Sequence, residues 1–383
     1  MNQPISDDTI LATCGIDADP AEGAVMPPIY LSSNYSFAGF NEKRRFDYGR
    51  SGNPTRSHLA QALAALERGA GAVVTSSGMA AVDLVLNLLA PGAFVVAPHD
   101  CYGGTWRLLK AHERKEALKV EFIDFNDEGA LSAALAKAPA LVWIETPSNP
   151  LMRIVDIAAV TERAKRAGAL VAADNTFLSP LLQKPLTLGA DFVVHSTTKY
   201  LNGHSDVIGG AVIAASEAHL TELAWWANCK GVTGSPFDAW LTLRGMRTLS
   251  VRLQRQQDTA HAVAQSLAAH EKVRTVHYPG LTTHVGHAVA KRQQTGFGAM
   301  LSFDIADSAS PAALVKHIRG FTLAESLGGV ESLIAHPATM THAAMTLEAR
   351  AEAGISDSLF RLSIGLDSAS DLITGLEAAL AAA

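Results

Sequence analysis

Two stretches decide the fold: LVAADNTFLSP, residues 170–180, and FVVHSTTKYLNGH, residues 192–204. Each begins as a short, continuous apolar run and ends abruptly in polar residues, Asp174-Asn175-Thr176 in one and His195-Ser196 in the other. An apolar run of this length without alternation reads as a strand buried on both faces. The same pattern recurs upstream. AVVTSS (72–77) precedes a helical pattern at 79–89, FVVAP (94–98) precedes one near 104–116, VEFID (120–124) is followed by 129–137, and LVWIET (141–146) by 157–167. GAVIAAS (210–216) adds another strand run. Strands alternating with helices predict an α/β fold, a mostly parallel sheet covered on both faces. Ligands of such sheets bind beyond the carboxyl ends of the strands, where Thr75-Ser76-Ser77-Gly78, Glu145-Thr146, Asp174 and Ser196 gather.

Outside this region the pattern changes. Residues 1 to about 56 have little helical periodicity and many turn signals, and they read as an extended N-terminal arm. From Ser57 a helix is predicted, with Leu59, Leu63 and Leu66 at helical spacing and Gly69 as its stop. The alternation fades near Gly245. Beyond it, 247–270 reads as one long helix, and FGAMLSFDI (297–305) and LFRLSIGL (359–366) as strands of a smaller α+β domain. The expected division is therefore arm 1–56, ligand-binding domain 57–246 and C-terminal domain 247–383.

The chain has 383 residues, 48% hydrophobic and 18% charged, with a net charge of −6. That balance suits a globular enzyme and argues against nucleic acid as a partner. Cys14, Cys101 and Cys229 form no CxxC pair, which suits a reducing cytoplasm and gives neither a zinc nor a disulfide framework. The N-terminus is acidic rather than basic, unlike a signal peptide, and the apolar stretch 79–98 is broken by Asp83, Asn87, Pro91 and Gly92. A cytoplasmic protein with no membrane association is expected. His284, His287, His336 and His342 lack acidic or Cys residues at ligand spacing, so no metal site is expected.

Lys199 stands just past a buried strand, three residues after Ser196 and one after Thr198. That arrangement suits an imine-forming amine beside a phosphate held by hydroxyls. An exposed lysine in a Ser/Thr-rich loop is the alternative. Asp174 weighs against it, because a carboxylate at the end of a buried strand needs a partner. Pyridoxal phosphate supplies one in its ring nitrogen, which a carboxylate keeps protonated. A structural Asp capping the next turn remains the other reading. Ser76-Ser77-Gly78-Met79 adds a small-residue turn into a helix, a place where backbone amides favour phosphate. Neither GxGxxG nor GxxxxGK[ST] occurs to compete with it.

The motifs PPIYLSSNY, YGRSGNPTR, SSGMAA, PHDCYGGTWRL, ETPSNPL, DNTFLSP, HSTTKYLNGHSD, FTLAESLGGVESL and RLSIGLD run in order from about residue 27 to 367. Together they resemble the cystathionine γ-synthase branch of the Cys/Met-metabolism enzymes that use pyridoxal phosphate. The pieces LAWWANCKGVTG, LTLRGMRTL and LSSNYSFAGFNE point to the bacterial synthases within that branch.

The resemblance implies fold type I, the aspartate-aminotransferase-like transferase architecture, and a homotetramer built from two tight dimers. It implies that Lys199 carries pyridoxal 5'-phosphate as a Schiff base and later moves protons, with Tyr102 stacked on the ring as the second catalytic residue. Asp174 would face the ring nitrogen, and Gly78, Met79, Thr176, Ser196 and Thr198 would complete the cofactor site. Tyr48 and Arg50 would reach the phosphate of the neighbouring subunit. Arg361 would grip the substrate α-carboxylate with Asn149 nearby, and Asp47, Arg107, Glu325 and Ser326 would line the substrate side. The implied reaction is γ-replacement in methionine biosynthesis, in which O-succinyl-L-homoserine and L-cysteine give L-cystathionine and succinate. A cystathionine γ-lyase or an O-acylhomoserine sulfhydrylase would use the same scaffold. One departure bears on the choice: Ser51 stands where such synthases often carry a second basic residue after the arm Arg. Arg107 would then take the succinyl carboxylate, or an O-acetyl group would replace it. A catalytically silent binding protein is the third reading, and the presence of Lys199, Asp174 and Arg361 speaks against it.

Overall fold

A computed structural model describes residues 5–343 and 345–383; the first four residues of the arm lie outside the described residues. Its strands, in chain order, are β1 (Gly71–Thr75), β2 (Ala93–Pro98), β3 (Leu118–Ile123), β4 (Leu141–Glu145), β5 (Leu170–Asp174), β6 (Phe192–His195), β7 (Gly210–Ala214), β8 (Val273–His277), β9 (Met300–Ile305), β10 (Thr322–Leu323), β11 (Leu333–Ala335) and β12 (Leu359–Ser363). The chain divides into two compact units, one formed by 1–93 with 170–250 and the other by 94–169 with 251–383.

In the first unit β5 runs parallel to β6, with Asp174 opposite Val194. β7 lies between β6 and β1 and is antiparallel to both. The α/β architecture with a mostly parallel sheet is as expected, and β7 is the exception. The pairing has a direct consequence for the site. His195 lies opposite Ala211, and Gly210 lies opposite Thr75. The carboxyl ends of β1, β5 and β6 therefore share one rim, together with the 196–209 connection that carries Lys199.

The helix behind this rim spans Pro54–Glu67, three residues earlier than the expected start at Ser57. Asn53 explains the difference: its side-chain oxygen caps Arg56 N–H at 3.1 Å, and Pro54 occupies the first turn, where its missing N–H costs nothing. Leu59, Leu63 and Leu66 are all buried, each contributing about 1.5–3 kcal/mol over exposure. The arm is not wholly extended. Asp7–Thr13 forms a short helix capped by Ser6, and Asp7 is tied to Arg68 (2.7 Å) and Lys184 (2.8 Å). Farther along, Tyr35 N–H donates to Asp47 O (3.0 Å) and Gly49 N–H to Ser33 O (2.6 Å), doubling the segment back on itself.

In the second unit β2 and β4 are parallel, with β4 buried along its whole length. His99 N–H donates to Ile123 O at 2.9 Å and so joins the ends of β2 and β3. The other sheet of this unit has the order β10-β11-β12-β9-β8 and is antiparallel except between β10 and β11. Leu249–Ala268 is the long helix expected there, and Met300–Ile305 and Leu359–Ser363 are the expected strands. Among the described residues no helix is long and apolar enough to cross a membrane.

Candidate active site

On the rim of the first unit, Gly78 and Met79 head the helix Gly78–Leu86, whose cap is the Ser77 hydroxyl accepting from Ala80 N–H at 3.1 Å. The first N–H groups of a helix lack intrahelical partners and carry its positive end. A Cβ added at Gly78 would stand 2.7 Å from Ser196 Cβ, so only glycine lets the turn and the Ser196 loop approach this closely. Helix N-terminus and serine hydroxyl thus converge as a phosphate cradle requires.

Asp174 lies at the adjacent strand end. Its Oδ1 accepts Thr176 N–H at 3.0 Å, and Thr176 Oγ1 in turn accepts Ser196 N–H at 2.9 Å. The residue keeps part of its surface open, while its carboxyl is desolvated, which pushes its pKa up against the lowering pull of Thr176 and His195. A carboxyl so placed calls for a nearby cation, the role a protonated pyridine nitrogen fills. The residues present fit pyridoxal phosphate. Thr198 is turned otherwise, its hydroxyl donating to Gly209 O (3.2 Å) and accepting from Gly209 N–H (3.0 Å). Lys199 is half-buried, and its backbone is held by bonds to Ser196 O (3.2 Å) and from Gly203 N–H (2.7 Å).

The arm residues interact with one another. Asp47 pairs with Lys43 at 2.6 Å and also accepts from Ser51 and Tyr48 N–H, which together hold its carboxyl down at about 2. The Ser51 hydroxyl is thus bonded to Asp47. Arg50 stacks over the Tyr48 ring and donates to Asn228 O at 2.9 Å.

The second unit holds the expected substrate residues other than Asp47, together with Tyr102. Tyr102 is 42% exposed, and its backbone N–H donates to Glu145 Oε2 at 2.8 Å. Desolvation raises its phenol pKa; Arg107 and Arg361 pull it down, while Glu325 and Glu145 push it up. One phenol therefore feels two cations and two carboxylates. Arg361 on β12 is 3% exposed and donates to Asn149 Oδ1 (3.0 Å) and Ser326 O (2.9 Å). Ser326 adopts a left-handed backbone, φ 80°, in presenting that carbonyl. Arg107 and Glu325 are exposed.

Sequence reasoning missed several supports. Asp100 is buried and binds the Ser148 hydroxyl (2.6 Å) and Arg153 (3.1 Å), joining the loops after β2 and β4 that carry Tyr102 and Asn149. His342 is 1% exposed and bonds Asn149 O through Nε2 at 3.1 Å. Burial, with Arg361 nearby, lowers its pKa to about 4, and burial lowers that of His284 to about 4 as well. Because the folded value lies below the unfolded value of about 6.5, the unfolded chain takes the proton first. The stability is whole above about pH 6.5 and drains as pH falls toward 4, by about 3 kcal/mol for His342. Melting temperature should fall over that window, and His342→Gln should remove roughly half of the slope. An unchanged slope in that variant counts against the assignment.

Comparison with known proteins identifies the family. The Cys/Met metabolism PLP-dependent enzyme family matches residues 8–381. Cystathionine γ-synthase of Escherichia coli K12 is 54% identical over 371 residues, covering 96% of each chain. A crystal structure of cystathionine γ-synthase from Xanthomonas oryzae pv. oryzae, in complex with aminoacrylate and cysteine, is 59% identical with a TM-score of 0.97 and covers 99% of this chain and 98% of its own. Cystathionine β-lyase of Coxiella burnetii is 44% identical over 376 residues, 97% of each chain. With the family model matching residues 8–381 and a relative 54% identical over 96% of each chain, the chain belongs to the Cys/Met-metabolism family of pyridoxal-phosphate-dependent enzymes, of fold type I.

Proposed function

We propose that the enzyme performs γ-replacement, joining O-succinyl-L-homoserine to L-cysteine to give L-cystathionine and succinate. The observation that carries this reading is the charge set around Tyr102: Arg107, Arg361, Glu325 and Glu145. A condensing enzyme must seat two zwitterionic amino acids, and two cations with two carboxylates answer that need. The greater identity to synthases than to lyases points the same way.

Bound pyridoxal phosphate supplies an aldehyde that captures amines and a ring that absorbs electron density as protons leave. The protein's part is positional. Gly78, Met79 and Ser196 would hold the phosphate, joined by Thr198 once its hydroxyl turns from Gly209; Asp174 would face the ring nitrogen with Thr176 beside it, and Tyr102 would cover the ring. Arg361, with Asn149, grips the α-carboxylate. Lys199 Nζ would hold the cofactor through its aldehyde and would be the base that takes the α-proton and returns a proton to the substrate. Succinate departs from the γ-carbon and the cysteine thiolate takes its place. Glu325 receives the cysteine ammonium, with Arg107, Asp47 and Ser326 completing the substrate side. Tyr48 and Arg50 serve a neighbouring subunit of a cytoplasmic homotetramer. Residues 1–56 form that arm, 57–246 the cofactor domain and 247–383 the C-terminal domain.

Given both substrates, cystathionine should exceed 2-oxobutanoate; without cysteine, 2-oxobutanoate and ammonia should form slowly. Glu325→Ala should lower the cystathionine-to-2-oxobutanoate ratio by about twofold to fivefold, the scale of a solvent-exposed ionic contact. Cystathionine cleaved faster than it is formed would turn the assignment to a lyase. O-acetyl-L-homoserine outpacing the succinyl ester would change the acyl donor but not the reaction.

A further inference from the structure

Glu67 is the last residue of the helix Pro54–Glu67, where an acid meets the negative end of the helix dipole, and it is 0% exposed. An acidic side chain is seldom left so deeply buried without a task. Its Oε1 accepts two bonds, from Asn175 Nδ2 at 2.8 Å and from His195 Nε2 at 2.7 Å. Asn175 directly follows Asp174 at the end of β5, and His195 ends β6 directly before Ser196. Asn175 is oriented without ambiguity. Its Nδ2 also donates to Gln183 O (2.8 Å) and Ser179 O (3.2 Å), while its Oδ1 accepts Gln183 Nε2 (3.1 Å). A carboxylate only accepts, so the His195 proton facing it is on Nε2.

The strand period explains the arrangement. Asp174 and Val194 are register partners and point to one face of the pair, so His195 points to the other, toward Glu67. On the Asp174 face the two ends are joined by Ser196 N–H to Thr176 Oγ1. We propose that Glu67 is a positioning residue of the cofactor site, clamping the ends of β5 and β6 from the opposite face so that Asp174, Thr176 and Ser196 keep one spacing. His195 also bears on Asp174 electrically, favouring its ionised form against burial. The clamp rests on the reading of those three residues as cofactor contacts.

The test is cofactor affinity and the circular dichroism of the bound-cofactor band, measured by titrating pyridoxal phosphate into stripped enzyme, with the melting temperature as the structural control. Glu67→Leu removes both acceptor bonds and should raise the dissociation constant about tenfold or more and weaken the dichroic band, as loss of bonds to a charged acceptor predicts. Glu67→Gln keeps an acceptor oxygen and should stay within about threefold. Leu59→Ala, two turns earlier in the same helix, should lower the melting temperature and leave affinity and dichroism unchanged. The clamp is overturned if Glu67→Leu binds the cofactor normally, or if Leu59→Ala weakens binding equally. Should Glu67→Leu not fold, Asn175→Ala must by itself weaken binding at least about threefold, and unchanged affinity there overturns the clamp too. Asp174→Ala separates the two readings. If it weakens binding while Glu67→Leu does not, the clamp alone fails; if neither does, the cofactor reading of Asp174 fails with it.

Discussion

Lys199→Ala should yield a folded protein without the yellow cofactor–lysine chromophore and with turnover reduced by at least about 10³. Both losses follow from one amine. The lysine lies in the 196–209 connection on the rim where β1, β5 and β6 end, and its backbone is fixed by Ser196 and Gly203, so no neighbouring side chain can replace its position. Proton transfer by a positioned group accounts for about 10²–10⁴ in rate, and loss of the covalent link adds to it. Lys199→Arg should be nearly as inactive, because a guanidinium stays protonated and neither links to an aldehyde nor accepts a proton at neutral pH. Borohydride reduction of the wild type followed by peptide mapping should find the cofactor on Lys199. Reduced cofactor on any other lysine refutes the assignment.

The rim residues were legible because the chain announces them. Asp174 and the pair His195-Ser196 each terminate a continuous apolar run, and a buried strand that turns polar within one residue has reached a ligand or solvent. The direction of β7 was less plain. GAVIA is as apolar as β6 and has no orientation of its own, yet 196–209 holds no apolar helical pattern for a crossover, which was the available sign of an antiparallel return. Glu67 was invisible for a different reason. A Glu before Arg68 at the end of a helix reads as a solvated surface acid, and only the packing of β5 and β6 reveals that it is buried. The arm helix Asp7–Thr13 is too short to show periodicity, although Ser6 followed by Asp7 and Asp8 carried the signature of a helix start. The pairs Tyr102–Glu145 and Arg361–Asn149 join residues 43 and 212 apart in the chain, and such pairs follow from topology rather than from any local pattern.

That long-range pair underlies the second large effect. Arg361→Ala should reduce kcat/KM for the acyl homoserine by about 10²–10⁴. Two charge-assisted bonds to a carboxylate, each about 1.5–3 kcal/mol, set that range. Most of the loss should appear in KM if the α-carboxylate is gripped equally in ground and transition states, and in kcat if the grip also aims the α-proton at Lys199. The guanidinium is already oriented before substrate arrives, by Asn149 Oδ1 and by the Ser326 carbonyl presented from a left-handed backbone, so little ordering remains to be done on binding. Its removal also strands those two acceptors, so part of any melting-temperature decrease belongs to them. Arg361→Lys discriminates the contributions: it keeps the charge but not the fork, and should recover only part of the catalytic loss while cofactor content stays at the wild-type level. A folded, cofactor-loaded Arg361→Ala enzyme with kcat/KM within threefold of wild type would mean that the substrate carboxylate binds elsewhere.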